Sequence, residues 1–294
     1  MEIHEWMIRN TRQTEWIDRR GLFLWLALYT GGLGGGLYLV SLYFNSLLGM
    51  VIAWFIVAIL KGGFHLAFLG KPWRFWRIMS RPQTSWLARG FIFVVSFIAF
   101  AAMQIIASIW LPGTLWELTF KIMAGLAALG LTTYAGFVLN NVKSIPFWRS
   151  ALLPILFVMC GLLGGFGLVV VIALYHGNIN LIAAEAGSRW LLIANALLIV
   201  VYLWSAAQKG AACKQSVIEQ IQGSASSVFW VGVTMLGIIV PIIIGFSGYF
   251  VHEASTSLLL ISVLCEIIGG LSLRYSILKV GIYQPLLPSS RYEE

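Results

Sequence analysis

The sequence has few charged residues: only 10% of its 294 residues are Asp, Glu, Lys or Arg, whereas 60% are hydrophobic. A soluble globular domain is about a quarter charged, so this composition excludes an ordinary soluble protein. The net charge of +8 is explained better by basic loops at one membrane face than by nucleic-acid binding. The sequence therefore predicts an integral membrane protein whose first partner is the lipid bilayer, with no nucleic acid bound.

Cysteine and histidine are also scarce, with three and four copies. Cys160, Cys213 and Cys265 are far apart in the sequence, so no iron–sulfur or zinc motif is present. Among the histidines only His65 lies well inside an apolar segment, whereas a bis-histidine haem needs two at matched depth. We therefore expect no metal site, no haem and no iron–sulfur cluster in this chain.

Eight segments are long and apolar enough to span a bilayer, which takes about 20 residues. They are residues 21–45, 47–69, 87–111, 115–139, 150–175, 189–208, 226–250 and 254–278. The connections are short, so residues 1–294 form one domain. Residues 1–20 lack the features of a signal peptide and are interpreted as an interfacial segment. The predicted fold is an all-α integral membrane domain of eight transmembrane helices in two four-helix bundles.

The Lys and Arg residues are distributed unequally between the two faces. Sixteen of the 19 lie before span 1, between spans 2 and 3, 4 and 5, or 6 and 7, or at the C-terminal end. The positive-inside rule makes this basic face cytoplasmic. Because the number of spans is even, both termini are expected on that face.

Several polar side chains lie inside the predicted spans, where an ionisable group is costly and is a functional candidate by default. A rise of about 1.5 Å per residue places most of them at similar depth, in the half of the membrane nearer the basic face. On this criterion the candidates are Tyr29, Lys61, His65, Tyr134, Asn140, Glu266 and Arg274.

Each candidate also has a structural interpretation. Lys61 could extend along its helix to the headgroups, and His65 could bond a backbone carbonyl. The tyrosines could belong to an interfacial aromatic belt. Glu266 could form an ion pair with Lys61 or Arg274 instead of carrying protons.

Quinone chemistry would use such a set of side chains. A quinone head group needs donors for two carbonyls and a group that exchanges protons near neutral pH, as histidine does. Its tail needs an apolar groove, and the glycines of GGLGGG (31–36) either provide one or allow close helix packing. The similar GLLGGF (161–166) in span 5 fits a duplicated four-helix unit or close packing equally well.

Four further segments are informative: GGLGGGLYLV (31–40), LGKPWRFW (69–76), TYAGFVLNN (133–141) and LRYSILKVG (273–281). They resemble the NrfD-like family, which comprises the membrane subunit of polysulfide reductase and its relatives. The family loop usually reads Leu-Gly-Arg-Pro, and Lys71 replaces that arginine here. The similarity covers nearly the whole sequence, including the number of spans.

The resemblance implies a membrane-anchor subunit of a respiratory oxidoreductase in the prokaryotic cytoplasmic membrane. Such a subunit is not catalytic alone and exchanges electrons between membrane quinone, expected to be menaquinone, and a docked ferredoxin-like iron–sulfur subunit. That partner connects to a molybdopterin-type catalytic subunit. The positions of the polar residues in the spans, and not the resemblance, make Glu266, Arg274 and Asn140 the candidates for proton transfer.

The resemblance also implies site residues. Tyr134 matches a family quinone-binding tyrosine, whereas the family's Asn and His in span 1 fall near Leu24 and Ala27 here. Either other residues replace those ligands, or this member binds quinone differently or not at all. The quinone-binding candidates are Tyr134, His65, Lys61, Tyr29 and Trp25.

The loop after span 2 is the candidate docking surface. Gly70 and Pro72 end the helix, and the basic and aromatic residues that follow suit headgroups and a docked partner. The docking candidates are Lys71, Arg74, Trp76 and Arg77. Two other functions remain open: a secondary transporter or proton channel, and an anchor subunit that binds no quinone.

Overall fold

The computed structural model describes residues 9–80, 82–247 and 255–285. Within these ranges, eight helices are long and apolar enough to cross a bilayer, which confirms the prediction of an all-α membrane protein. In sequence order, spans 1 to 8 are Gly21–Tyr43, Leu47–Phe68, Trp86–Trp110, Leu115–Asn140, Leu152–Tyr175, Leu181–Ala207, Val228–Phe246 and Thr256–Lys279.

The bounds agree within a few residues except at span 6, which begins at Leu181 and not at the predicted residue 189. The charges of Glu185 and Arg189 interrupt the apolar pattern and misplaced the predicted start. The side chain of Asn180 accepts a hydrogen bond from the backbone N–H of Ala183 at 3.0 Å and so caps the helix. Both charged residues therefore lie inside the span. The predicted end of span 7 and start of span 8, at residues 250 and 254, lie outside the described residues.

The spans form two groups of four. Spans 1 to 4 pack against one another, spans 5 to 8 do the same, and span 1 packs along span 5 at the centre. The two glycine motifs make this central contact: a Cβ on Gly36 would lie 1.9 Å from the carbonyl oxygen of Gly161. GGLGGG is therefore a close-packing motif. Of the two interpretations of these glycines, the groove for an isoprenoid tail is wrong, because neighbouring helices cover them.

Span 2 is not a regular α-helix throughout. Its residues Ile56–Lys61 form a π-helical segment, a local irregularity that is frequent at functional sites. The span ends at Phe68, and a 3₁₀-helix, Pro72–Ser80, follows it. Ser85 then caps span 3 by accepting a hydrogen bond from the backbone N–H of Ala88.

The terminal segments meet at the basic end of the bundle. Strand β1, Thr11–Arg12, pairs antiparallel with strand β2, Ile282–Tyr283. The Arg12 guanidinium forms an ion pair with Glu219, which lies on the surface helix Ala211–Ile221. The two ends of the described structure therefore lie on the same side, as an even number of spans requires.

Candidate functional site

An apolar cavity of about 300 Å³ lies between spans 2 and 3 near the basic end, within the size range of small-molecule sites. Span 4 contributes one wall residue, Tyr134, and the Pro72–Ser80 helix contributes Phe75 and Ile78. The other residues that line it are Lys61, Gly62, His65, Leu66, Leu69, Leu87, Gly90, Phe91, Val94, Val95 and Ile98. Most of the lining is aliphatic or aromatic, and the polar groups come from three side chains.

Lys61 and Tyr134 form a buried pair at the cavity. The Lys61 Nζ donates hydrogen bonds to the Tyr134 hydroxyl at 2.5 Å and to the Ala27 carbonyl at 3.3 Å. Both side chains are almost fully buried, so the headgroup interpretation of Lys61 and the aromatic-belt interpretation of Tyr134 are wrong. Because the hydroxyl oxygen accepts from the lysine, its hydrogen is left to donate to a group in the cavity.

His65 lies one helical turn beyond Lys61 and lines the same cavity. Its Nδ1 is buried and makes no hydrogen bond of normal geometry within the part of the protein that the structure describes, although the backbone carbonyl of Lys61 lies close to the ring. Leaving a buried polar atom unsatisfied costs about 1–3 kcal/mol. A ligand or a water molecule in the cavity would remove that cost.

Two glycines outside the predicted site leave space for the Lys61 and Tyr134 side chains. A Cβ on Gly90 would lie 2.2 Å from the Tyr134 ring, and a Cβ on Gly31 would lie 2.8 Å from the Lys61 Nζ. Gly90 therefore lets the tyrosine ring lie directly against span 3. The sequence analysis missed Gly90 and the wall residues Phe75 and Ile78, and only a glycine among bulky residues could have indicated the first.

Tyr29 and Trp25 do not line this cavity. The Tyr29 hydroxyl donates to the carbonyl of Ile267, and the Trp25 indole N–H donates to that of Leu271, both at 3.0 Å. The two side chains therefore join span 1 to span 8. Tyr29 shares the depth of Lys61, and Trp25 lies one turn nearer the basic end, but both face span 8 and not span 2. The predicted common pocket with them is therefore not present.

Glu266 is almost fully buried, with the Ser188 hydroxyl 3.2 Å from both carboxylate oxygens. Within the described residues it forms no ion pair with Lys61 or Arg274, so that interpretation is wrong. The carboxylate borders two small cavities, of about 30 and 10 Å³. Glu266 is thus separated from the Lys61–Tyr134 pair.

The other two predicted proton-transfer residues lie apart from Glu266. The Arg274 guanidinium donates to the carbonyls of Leu28, on span 1, and Phe157, on span 5. It therefore fastens the two halves of the bundle together. Asn140 is the half-buried last residue of span 4, about 9 Å along the helix from Tyr134 at 1.5 Å per residue.

The predicted docking residues Lys71, Arg74, Trp76 and Arg77 are all exposed on the segment that follows span 2. They lie at the same end of the bundle as the cavity, because the Pro72–Ser80 helix carries Arg74, Trp76 and Arg77 as well as the cavity residues Phe75 and Ile78, and Lys71 directly precedes it. The three cysteines, Cys160, Cys213 and Cys265, are free and buried. No group of three His, Cys, Asp or Glu side chains suited to a metal ion occurs among residues 9–80, 82–247 and 255–285.

These features define a class: a multi-pass membrane protein with an apolar, lipid-side cavity that has a buried lysine–tyrosine pair and a histidine on its walls. The family model described as "Polysulphide reductase, NrfD" matches residues 21–285. The chain belongs to this family, which confirms the resemblance noted in the sequence.

Three relatives are similar to the protein. The C subunit of polysulfide reductase from Wolinella succinogenes is 23% identical over 167 residues, which cover 55% of this chain and 53% of that protein. Protein NrfD of Escherichia coli is 25% identical over 252 residues, covering 74% and 76%. The NrfD homolog of Haemophilus influenzae is 22% identical over 248 residues, covering 74% and 75%. The match thus spans about half of the first relative and three quarters of the others.

Proposed function

We propose that this protein is the membrane-anchor subunit of a respiratory oxidoreductase complex, and that it exchanges electrons between membrane quinone and a docked iron–sulfur subunit. One observation carries the proposal: the 300 Å³ cavity is apolar along its length and has Lys61, His65 and Tyr134 on its walls. A quinone has the matching shape and polarity, because it combines a ring bearing two carbonyls with an isoprenoid tail.

The polar residues would bind and orient the head group. The Tyr134 hydroxyl would donate a hydrogen bond to one carbonyl, while the Lys61 ammonium holds the phenol in place and favours negative charge nearby. His65 offers its unsatisfied Nδ1 to a second polar group and could exchange a proton there. The quinone, of which menaquinone is the type implied by the family, supplies two-electron, two-proton chemistry when bound.

The apolar residues would hold the tail and let it reach the bilayer. Leu66, Leu87 and Val95 line the cavity and are also 50%, 45% and 48% exposed on the outer surface of spans 2 and 3. Since that surface faces lipid, the cavity can open sideways into the membrane. A long isoprenoid tail could then extend between spans 2 and 3 into the lipid without passing the polar side chains of the cavity.

The docking surface would receive the electron-transfer partner. One relative is named as a lettered subunit of a reductase, which supports membership of a multi-subunit complex here too. We propose a ferredoxin-like iron–sulfur subunit on the basic face, linked to a molybdopterin-type catalytic subunit. The basic face, and with it both termini, would be on the cytoplasmic side of a prokaryotic membrane.

A second candidate function, proton conduction, is favoured by the position of Glu266. Two cavities border its carboxylate, of about 30 and 10 Å³. Because one water molecule needs ~10–15 Å³, the larger cavity has room for about two waters and the smaller for about one. Glu266 can gain and lose a proton, whereas the Arg274 guanidinium stays charged. If the protein alone conducts protons or carries a solute, proteoliposomes should show a flux that Glu266→Gln abolishes.

The leading proposal is tested by filling the cavity. Val94→Trp places an indole in the cavity, and Val200→Trp is a control on the exposed surface of span 6. In the purified complex, we expect Val94→Trp to remove the co-extracted quinone and quinol-driven turnover, while an artificial electron donor still drives the partner subunits. Normal quinone content and quinol turnover in Val94→Trp would refute the proposal.

A further inference from the structure

The Pro72–Ser80 helix has three distinct faces because a 3₁₀-helix has three residues per turn. Residues three apart in PWRFWRIMS therefore lie on one face. One face is apolar and is directed inward to the cavity, although Phe75 on it is still 41% exposed. A second face is aromatic and more exposed, and the third is basic. In order, they consist of Pro72, Phe75 and Ile78; of Trp73, Trp76 and Met79; and of Arg74 and Arg77.

The inward face is part of the cavity wall. Phe75 and Ile78 both line the cavity, and the Phe75 ring centroid lies 5.7 Å from that of Phe91 on span 3. Nine residues is long for a 3₁₀-helix, whose hydrogen-bond geometry is poorer than that of an α-helix. This outer wall of the cavity is therefore easier to displace than the spans that form the other walls.

The aromatic face is exposed, and the Arg77 guanidinium of the same helix lies 5.6 Å from the centre of the Trp76 ring. Trp73 is 91% exposed, Trp76 57% and Met79 46%. Tryptophan is enriched where membrane and water meet, because its ring is apolar and its N–H is polar. The helix joins the end of span 2 at Phe68 to the start of span 3 at Trp86, so both of its ends are held at the membrane surface.

The basic face complements a lipid surface in charge. Arg74 and Arg77, with Lys71 just before the helix, are exposed and alternate with the tryptophans along the segment. Cationic side chains next to a spanning helix are attracted to the anionic headgroups of the cytoplasmic leaflet. An aromatic face beside a basic one is the arrangement of helices that lie in the plane of the interface.

We propose that the Pro72–Ser80 helix lies in the interfacial layer of the membrane and acts as a gate between the cavity and the bilayer. Its aromatic face contacts lipid, its basic face contacts headgroup phosphates, and Phe75 and Ile78 separate the cavity from the bilayer. The anionic lipid of the protein's own membrane is the partner of this surface. Of the predicted docking residues, Arg74, Trp76 and Arg77 then contact lipid, and a docked protein would bind other basic residues at this end of the bundle, such as Lys71. The identity of the ligand that enters the cavity past this helix rests on the proposed quinone function.

The test measures the environment of each helix residue in turn. With the three buried native cysteines replaced, single cysteines at positions 73 to 79 of the full-length protein are labelled with a nitroxide in phosphatidylcholine–phosphatidylglycerol vesicles. Collision with oxygen reports contact with lipid, and collision with a nickel chelate reports contact with water. We expect labels replacing Trp73, Trp76 and Met79 to be the most accessible to oxygen, and those replacing Arg74 and Arg77 to be the most accessible to nickel.

Labels replacing Phe75 and Ile78 should be less accessible to oxygen than those on the aromatic face and less accessible to nickel than those on the basic face, and their mobility should change when a menaquinone is added. A three-residue period without any response to the quinone would support the interfacial helix and count against the proposed quinone function. If the Trp73, Trp76 and Met79 positions are as accessible to nickel as the arginine positions, the face is open to a soluble partner and the inference is overturned. The labels on the exposed faces replace no packed side chain, so misfolding would not account for that result.

Discussion

The Tyr134 hydroxyl accepts a hydrogen bond from the Lys61 Nζ at 2.5 Å, and the two side chains are 2% and 1% exposed. This contact joins span 2 to span 4 at the cavity. A buried ammonium is costly. Among the described residues, Lys61 donates hydrogen bonds to one phenol and one carbonyl, which offset only part of that cost. The pair is therefore better explained by a ligand that uses its charge than by the stability of the bundle.

The first prediction concerns the phenol hydroxyl. Tyr134→Phe keeps the ring and its packing but removes the donor to a carbonyl in the cavity. We expect quinol-driven turnover of the complex to fall about 100-fold, the lower range for a positioned proton donor. Activity with an artificial electron donor should not change.

The matched control is Tyr38→Phe, which removes another buried hydroxyl. The Tyr38 hydroxyl donates to Gln104 and lies in span 1 toward the end of the bundle that is farther from the cavity. It should leave quinol-driven turnover near the wild-type rate. Equal effects of the two substitutions would mean that the Tyr134 hydroxyl has no specific part in the reaction.

The second prediction is that Lys61 and Tyr134 act as a unit. Lys61→Met has a side chain of similar length without the charge. Because the lysine acts through the phenol, the double variant with Tyr134→Phe should lose about as much quinol-driven turnover as either single variant, whereas independent sites add their effects. A double-mutant cycle on turnover measures this, and additive losses would contradict the coupling.

The sequence could predict at which depth along the spans the polar side chains of the site lie. Lys61 and His65 lie on one face of span 2 because they are one turn apart, and counting residues from the helix ends brought Tyr134 to the same level. Counting does not determine which way a helix is rotated. Tyr29 therefore shares the depth of Lys61 but bonds span 8, and no local pattern in span 1 distinguishes these two outcomes.

Residues that depend on tertiary contacts could not be predicted. Gly90 matters because the Tyr134 ring lies against it, and Phe75 matters because the Pro72–Ser80 helix folds back onto span 3. The glycines of residues 31–36 were ambiguous for the same reason: a surface without side chains suits a ligand or another helix. The structure decides for a helix, because Gly36 contacts Gly161.

The third prediction distinguishes the two nitrogens of His65. The unsatisfied atom is Nδ1, and an asparagine amide can place a polar atom near that position, whereas a glutamine reaches the position of Nε2. We expect His65→Asn to retain more quinone affinity than His65→Gln, by about tenfold, equivalent to ~1.4 kcal/mol. Titration of quinone into the reconstituted complex measures the difference. His176→Asn, at the far end of span 5, is the control, and the reverse order of the two His65 variants would show that Nδ1 is not the contact.

The fourth prediction concerns pH and the terminal strands. Partial burial favours a raised pKa for the Glu219 carboxyl, but hydrogen bonds from Ser224 and the charge of Arg12 outweigh it, so its pKa lies below the usual value. A pKa that is lower in the folded than in the unfolded protein stabilises the fold at pH above about 4.3, the unfolded value for Glu. This stability is lost as the pH falls through the folded pKa.

Protection of the strand amides against hydrogen exchange, corrected for the intrinsic rate, should therefore decrease in that acidic range. In Glu219→Gln it should be weaker at pH 7 and nearly independent of pH. Asp18→Asn, a substitution outside the Arg12–Glu219 pair, should behave as the wild type. If Glu219→Gln kept the wild-type pH profile, the pair would not hold the strands.

The last prediction concerns the room that Gly90 gives the Tyr134 ring. A Cβ at this position would lie 2.2 Å from that ring, so Gly90→Ala must displace the ring or separate spans 3 and 4, at a cost of about 1–3 kcal/mol for overpacking. Thermal unfolding in detergent should detect the loss of stability, and quinol-driven turnover should fall because the hydroxyl moves relative to Lys61. Gly63→Ala is the matched control, since a Cβ there meets nothing within 4 Å, and it should change neither property. If Gly90→Ala resembled Gly63→Ala, span 3 would not restrain the tyrosine, and the geometry of the Lys61–Tyr134 pair would have to be set by spans 2 and 4 alone.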